Sequence, residues 1–192
     1  MRKILTQEKK DKKTRRNQLI IGAILIGVMI FGTLGYAFSG REDQNAEKID
    51  YNGVRFVKDS SEYWSFNIQG YDFITKYNPE EIENITFVSY SSINSYINKP
   101  LYIVSNFNEP NFEISRNLNQ FVLRVQNACI PKDNCTGNLP IKNCSADNIV
   151  VIYESKNESE SIYQEGNCVF IIADPINQIK YADAFLFKVL GV

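Results

Sequence analysis

Glu80, Glu81 and Glu83 crowd together, Ser91 and Ser92 lie shortly before Lys99, and cysteines stand at 129, 135, 144 and 168; these are the groups whose types and spacing could do chemistry. Two carboxylates facing each other across a cleft would cleave glycosidic bonds. A serine beside a lysine would supply a nucleophile and its base. Cysteines would bind metal, exchange electrons or form bridges. The chain contains no histidine, which removes Ser-His-Asp and Cys-His catalysis, histidine metal sites and histidine proton shuttles together. No glycine-rich phosphate loop occurs.

Each surviving candidate has a plainer reading. Asn78-Pro79-Glu80-Glu81 is a helix start, with Asn78 as cap, Pro79 in the first turn and Glu81 at the reciprocal capping position, so the three glutamates read as helix-start and solvated charges. No motif supports a dyad of Ser91 or Ser92 with Lys99. Trp64 and its aromatic neighbours would make a sugar-stacking platform, but on alternating strands they read as core. No catalytic residue, metal ligand or cofactor is therefore assigned.

The cysteines are separated by five, eight and twenty-three residues, with no Cys-x-x-Cys pair. Without histidine, a zinc site would need all four at irregular spacing, so structural disulfides are expected. Three pairings are open in principle. Cys144 precedes an apolar strand at Ile149 to Tyr153 and Cys168 begins the strand expected beside it, so pairing Cys144 with Cys168 would staple the open end of a hairpin, whether the returning chain is one strand or is broken at Gly166. Cys129 and Cys135 would then close a short loop. Asn84, Asn134, Asn143 and Asn157 each open an Asn-x-Ser/Thr sequon and are glycosylation candidates.

The elements that must position these groups begin with an anchor. Leu19 to Phe38 carries no charged side chain, and twenty helical residues at about 1.5 Å each match a bilayer core of roughly 30 Å. Eight basic and two acidic residues precede it, which places residues 1–18 in the cytoplasm and the rest outside. Ala37-Phe38-Ser39 resembles a signal-peptidase site, but the apolar run exceeds the usual 7 to 15 residues of a cleaved leader. Arg16-Asn17-Gln18 echoes a pilin leader, with Asn17 where such leaders carry Gly or Ala. Beyond the span, thirteen basic and twenty acidic residues make the outer part acidic, which argues against a nucleic-acid surface.

Residues 39–48 read as a polar stalk and 49–192 as one extracytoplasmic α+β domain. Asn52-Gly53, Asp59 to Glu62 and Gln69-Gly70 are turn signals between alternating strands, predicting a β-meander to Tyr77. A short helix at Asn78 is followed by a β-rich Ile85 to Tyr90 and a strand at Leu101 to Val104. Ile114, Leu118, Phe121, Val122 and Val125 have the spacing of a long amphipathic helix running to about Ala128. Strands at Ile149 to Tyr153 and Val169 to Ile172 follow. Asp174-Pro175 opens a C-terminal helix with Ile176, Ile179, Ala182, Phe185 or Leu186, and Val189 on its inner face.

Cys144 with its following strand, Asn167-Cys168-Val169, and the ending Ala182-Asp183-Ala184-Phe185-Leu186-Phe187-Lys188-Val189-Leu190-Gly191-Val192 resemble segments of uncharacterised archaeal single-pass membrane proteins. The resemblance covers the final third and, more loosely, the meander. It implies a structural role for Cys144 and Cys168 and a docked C-terminal helix, and no activity.

By subtraction, the expected function is a non-catalytic, membrane-anchored module that binds or scaffolds a protein or cell-envelope partner. The alternatives are a carboxylate-based envelope hydrolase and a pilin-like filament subunit.

Overall fold

Tight turns set the first sheet. In the computed structural model, β1 (Lys48–Tyr51), β2 (Val54–Lys58), β3 (Trp64–Ile68) and β4 (Tyr71–Thr75) form an antiparallel meander in that order. The described residues are 15, 17–30, 46–133, 135, 138–156 and 159–192, in two units, 1–45 and 46–192. Asn52-Gly53 and Gln69-Gly70 each place two successive residues at positive φ, the geometry whose twist matches a two-residue hairpin. At the middle turn Asp59 Oδ1 accepts from the Ser61 and Tyr63 amides at 2.8 and 2.9 Å. Strand register puts Phe56 opposite Phe66 and Phe66 opposite Phe73, a ladder of rings with centroids 4.5 and 5.3 Å apart. Trp64 joins this face, buried in the core.

After β4, the Asn78 amide donates to Glu81 Oε2 at 2.8 Å and the Glu81 amide donates to Asn78 Oδ1 at 3.0 Å. This capping box opens a 3₁₀ turn at Glu80–Ile82. Ile85 to Tyr90, expected to be β-rich, joins no ladder. Its Ile85 and Phe87 side chains pack on the core, so apolar content reports burial here without strand pairing.

The second sheet holds β5 (Pro100–Ser105), β6 (Arg124–Asn127), β7 (Asn148–Glu154), β8 (Ser161–Glu165) and β9 (Cys168–Ala173), ordered β6-β5-β7-β9-β8. All neighbours are parallel except β8 with β9. Its central strands are buried on both faces, as parallel strands must be when each face is covered.

Three expectations change at this sheet. The long helix predicted from Ile114 to Ala128 is instead α2, Asn108–Leu118. Pro110 sits in its first turn, where the missing amide costs nothing, and the chain then leaves the helix to supply β6, whose backbone satisfies one edge of β5. Phe121, Val122 and Val125 keep helical spacing by coincidence of a turn and a strand. Next, β7 and the strand at Cys168 are neighbours, but parallel. The true hairpin is β8 with β9, and β9 inserts between β7 and β8. Finally, the last helix, α3, begins at Gln178. Asp174 to Asn177 form a turn that leaves Ile176 79% exposed, off the inner face.

α3 (Gln178–Leu190) lies between the two sheets. Ala182, Phe185, Leu186 and Val189 enter the core against the five-stranded sheet. Ala184 and Phe187 enter the core against the meander, with Phe187 5.8 and 5.7 Å from the rings of Phe56 and Phe66. Burying each large apolar side chain is worth about 1.5–3 kcal/mol, so this helix is the main tie between the sheets.

In the other unit, residues 17–30 form helix α1, with Leu19, Ile24, Leu25 and Val28 more than half exposed. Among the described residues no helix is long and apolar enough to cross a membrane. Positions 31–38 of the expected span, most of the basic tail, and stalk residues 39–45 lie outside the described residues.

Candidate functional site

A cleft of about 650 Å³ opens at the amino ends of β5, β7 and β9, within the range of small-ligand sites. One wall is the segment before β5, with Tyr90, Ser91, Ser95 and Lys99, and the other is Asp147, Asn148 and Asn167. Tyr102 borders it between them.

Gln164 of β8 fastens the first wall. Its Oε1 accepts from Ser89 Oγ at 2.8 Å and from the Tyr90 amide at 3.1 Å, and its Nε2 donates to Ser91 Oγ at 2.9 Å and to Gly166 O at 2.8 Å. Asn148 Nδ2 donates to Ser95 O at 3.0 Å, tying β7 to the same wall. The disulfide between Cys144 and Cys168 holds the opposite wall, its Cα atoms 5.0 Å apart. Asn167 N donates to Cys144 O at 2.8 Å. A Cβ at Gly166 would approach that carbonyl to 2.7 Å, and φ there is +59°, so only glycine fits the bend.

Tyr102 is the chemical centre. Its side chain lies on the loop-covered face of the sheet and is 2% exposed. Register pairs Tyr102 with Gln126 on β6, and Arg124, two residues earlier, falls on the same face. Arg124 Nη2 donates to the Tyr102 hydroxyl at 3.0 Å. From the covering loop, Lys142 Nζ sits 4.2 Å from the ring centroid and 3.3 Å from Asp147 Oδ1. The Lys142 ammonium and then the Arg124 guanidinium hold the phenol below its ordinary pKa, and the same contact with Tyr102 raises that of Lys142. Lys142 is placed by its backbone. Its amide donates to Cys129 O at 2.8 Å, and the Cys129 amide donates to Pro140 O at 3.0 Å, beside the Cys129–Cys135 disulfide. One disulfide thus anchors the loop that carries the cation, and the other anchors the wall facing it.

The expected site residues fall as follows. Ser91 and Lys99 both border the cleft, but among the described residues no hydrogen bond joins them, and Ser91 Oγ is engaged by Gln164. Ser92 precedes the 3₁₀ turn Ile93–Ser95. Glu80, Glu81 and Glu83 are exposed around the capping box, away from the cleft. Trp64 is core, so it forms no sugar platform. Asn84 is exposed; Asn143 is exposed with Oδ1 accepting from Ser145 N and Oγ at 3.0 and 3.2 Å. Asn134 and Asn157 lie outside the described residues. Two carboxylates do meet, Glu113 of α2 and Asp183 of α3, but both are buried, 3% and 0% exposed, with no path for substrate. Among the described residues no cluster of ligating side chains could hold a metal ion.

Tyr102, Arg124 and Lys142 carry no signal in the sequence. They are up to forty positions apart, and only the sheet register and the disulfide loop bring them together. Compared with family models, curated proteins and solved structures, the chain matches none.

Proposed function

We propose that the protein is a non-catalytic binding module held at the outer face of the cell membrane by a single span, residues 19–38, and that its partner is a cell-envelope component received in the cleft. The carrying observation is the cleft itself, a concavity of about 650 Å³ with one wall fastened by Gln164 and the other held by the Cys144–Cys168 disulfide. Disulfides persist in oxidising compartments outside the cytoplasm, which supports the outward orientation. The asymmetry of charge about residues 19–38 supports it independently. A hydrolase reading loses its motivation because the facing carboxylates, Glu113 and Asp183, are sealed in the core. Asp147, the carboxylate bordering the cleft, is engaged by Lys142 at 3.3 Å.

The test is co-sedimentation of the full-length protein, in lipid nanodiscs, with isolated envelopes of the producing organism. Native protein should sediment with the envelopes. Ser95→Trp, which fills the cleft from an accessible position without touching either disulfide, should stay in the supernatant. Equal sedimentation of both would overturn the assignment of the cleft.

A further inference from the structure

We infer that the cleft takes an acidic saccharide, with a carboxylate of the sugar seated against Tyr102 and Lys99; this rests on the binding-module reading above. The argument starts from which polar atoms remain uncommitted. Gln164 is fully spent on fastening the wall. The Asn148 and Asn167 amide nitrogens donate to Ser95 O and Ser145 O at 3.0 and 3.4 Å, which leaves their Oδ1 atoms as acceptors. Among the described residues no ion pair engages Lys99 Nζ, which is exposed at the cleft wall.

The Tyr102 hydroxyl supplies direction. A phenol oxygen has one proton and two lone pairs. Arg124 donates to it at 3.0 Å, and Lys142 Nζ stands over the ring, 4.2 Å from its centroid. With Arg124 on one lone pair and Lys142 over the ring, the hydroxyl's own proton is left for an acceptor, and Tyr102 borders the cleft. A donor backed by two cations favours an anionic acceptor, because charge-assisted hydrogen bonds are roughly twice as strong as neutral ones. The rest of the wall offers acceptors, Asn148 and Asn167 Oδ1, and the hydroxyl of Ser95. They call for a ligand that also donates many hydrogen bonds. Tyr90, 90% exposed at the mouth, presents an aromatic face on which a sugar ring stacks. A hydroxyl-rich ring bearing a carboxylate meets all of these demands; a bare inorganic anion leaves the acceptors and the tyrosine unused.

The test is titration calorimetry on the full-length protein in nanodiscs, with a galacturonic acid trimer and a neutral galactose trimer as probes. The acidic trimer should bind at least tenfold more tightly. Tyr102→Phe, which keeps the buried ring, and Lys99→Gln, at an exposed position that cannot unfold the domain, should each weaken the acidic trimer three- to tenfold and change neutral-trimer affinity less than twofold. Equal affinity for the two trimers, no binding of either, or acidic-trimer binding indifferent to both substitutions would overturn the inference. If envelope co-sedimentation is still abolished by Ser95→Trp in those cases, the module reading stands and only the ligand chemistry falls. If Ser95→Trp has no effect on sedimentation, the module reading falls first.

Discussion

Asp183 is fully buried on α3, and its Oδ2 accepts from the Lys76 and Tyr77 amides at 3.1 and 2.9 Å. Glu113 on α2 accepts from the Lys76 amide at 3.2 Å and from Arg116 Nη2 at 2.7 Å. Burial, and then the Glu113 charge, push the Asp183 carboxyl well above its ordinary pKa, against the pull of the Tyr77 amide and Arg116. The unfolded chain therefore releases this proton at lower pH than the folded one. The stabilisation carried by protonated Asp183 is complete below the ordinary aspartate pKa of about 3.9 and declines as pH rises, until the folded group has ionised too. Asp183→Asn mimics the neutral carboxyl, accepting from both amides and donating toward Glu113. We expect it to remove that decline, so the difference in urea midpoint between Asp183→Asn and native protein should grow in the variant's favour as pH rises from 4. A constant difference would show that Asp183 ionises freely. Asp183→Ala should cost on the order of 1–3 kcal/mol near pH 4, because it strands the Tyr77 amide while that of Lys76 keeps Glu113, and this cost should shrink as pH rises.

The elements show where sequence reading succeeds. Asn52-Gly53 and Gln69-Gly70 were legible because two consecutive positive φ angles restrict residue choice severely. Asn78 and Glu81 were legible because a capping box is local chemistry. β8 was legible only as the returning limb of the hairpin, broken at Gly166, because Ser161 to Glu165 is a mostly polar edge strand of weak alternation. The parallel pairing of β7 with β9 depends on where the chain returns, which no short window contains. The disulfide between Cys144 and Cys168 forms because both cysteines lie at the same end of neighbouring strands, a condition that parallel strands meet as well as a broken hairpin does. The cleft was unreadable for the same reason, since Tyr102 and Lys142 meet through a loop covering the sheet. Loop length ranks the two bridges. With sequence separations of 24 and 6 residues, chain entropy assigns about 3 kcal/mol to Cys144–Cys168 and about 2 kcal/mol to Cys129–Cys135. Cys168→Ser should therefore lower the denaturant midpoint further than Cys135→Ser, and the reverse order would show that contacts in the folded state outweigh loop entropy. Gly166→Ala should cost more than about 1 kcal/mol, since positive φ and the Cys144 carbonyl both oppose it, and a thermal melt within error of native would refute that.

For the molecule as a whole, the proposed orientation can be checked without any ligand. A tag after Val192 should react with an impermeant reagent on intact cells, and a label at Thr6 should react only after lysis; the reverse pattern would remove the oxidising compartment on which the disulfides depend. The placement of α3 has a further consequence, for biosynthesis. In chain order this helix follows every strand of both sheets, yet it fills the core of each. As the polypeptide emerges, from an export channel under the proposed orientation, the meander and then the five-stranded sheet each present an apolar face that nothing made so far can cover. Neither layer can settle early, and the order of synthesis gives no head start to the first-made part. Nascent chains stalled at successive lengths should thus remain open to protease through residue 177 and become resistant in one step once Phe187 has cleared the channel. Until then, under the proposed orientation, the exported segment depends on whatever chaperone waits on the far side of the membrane.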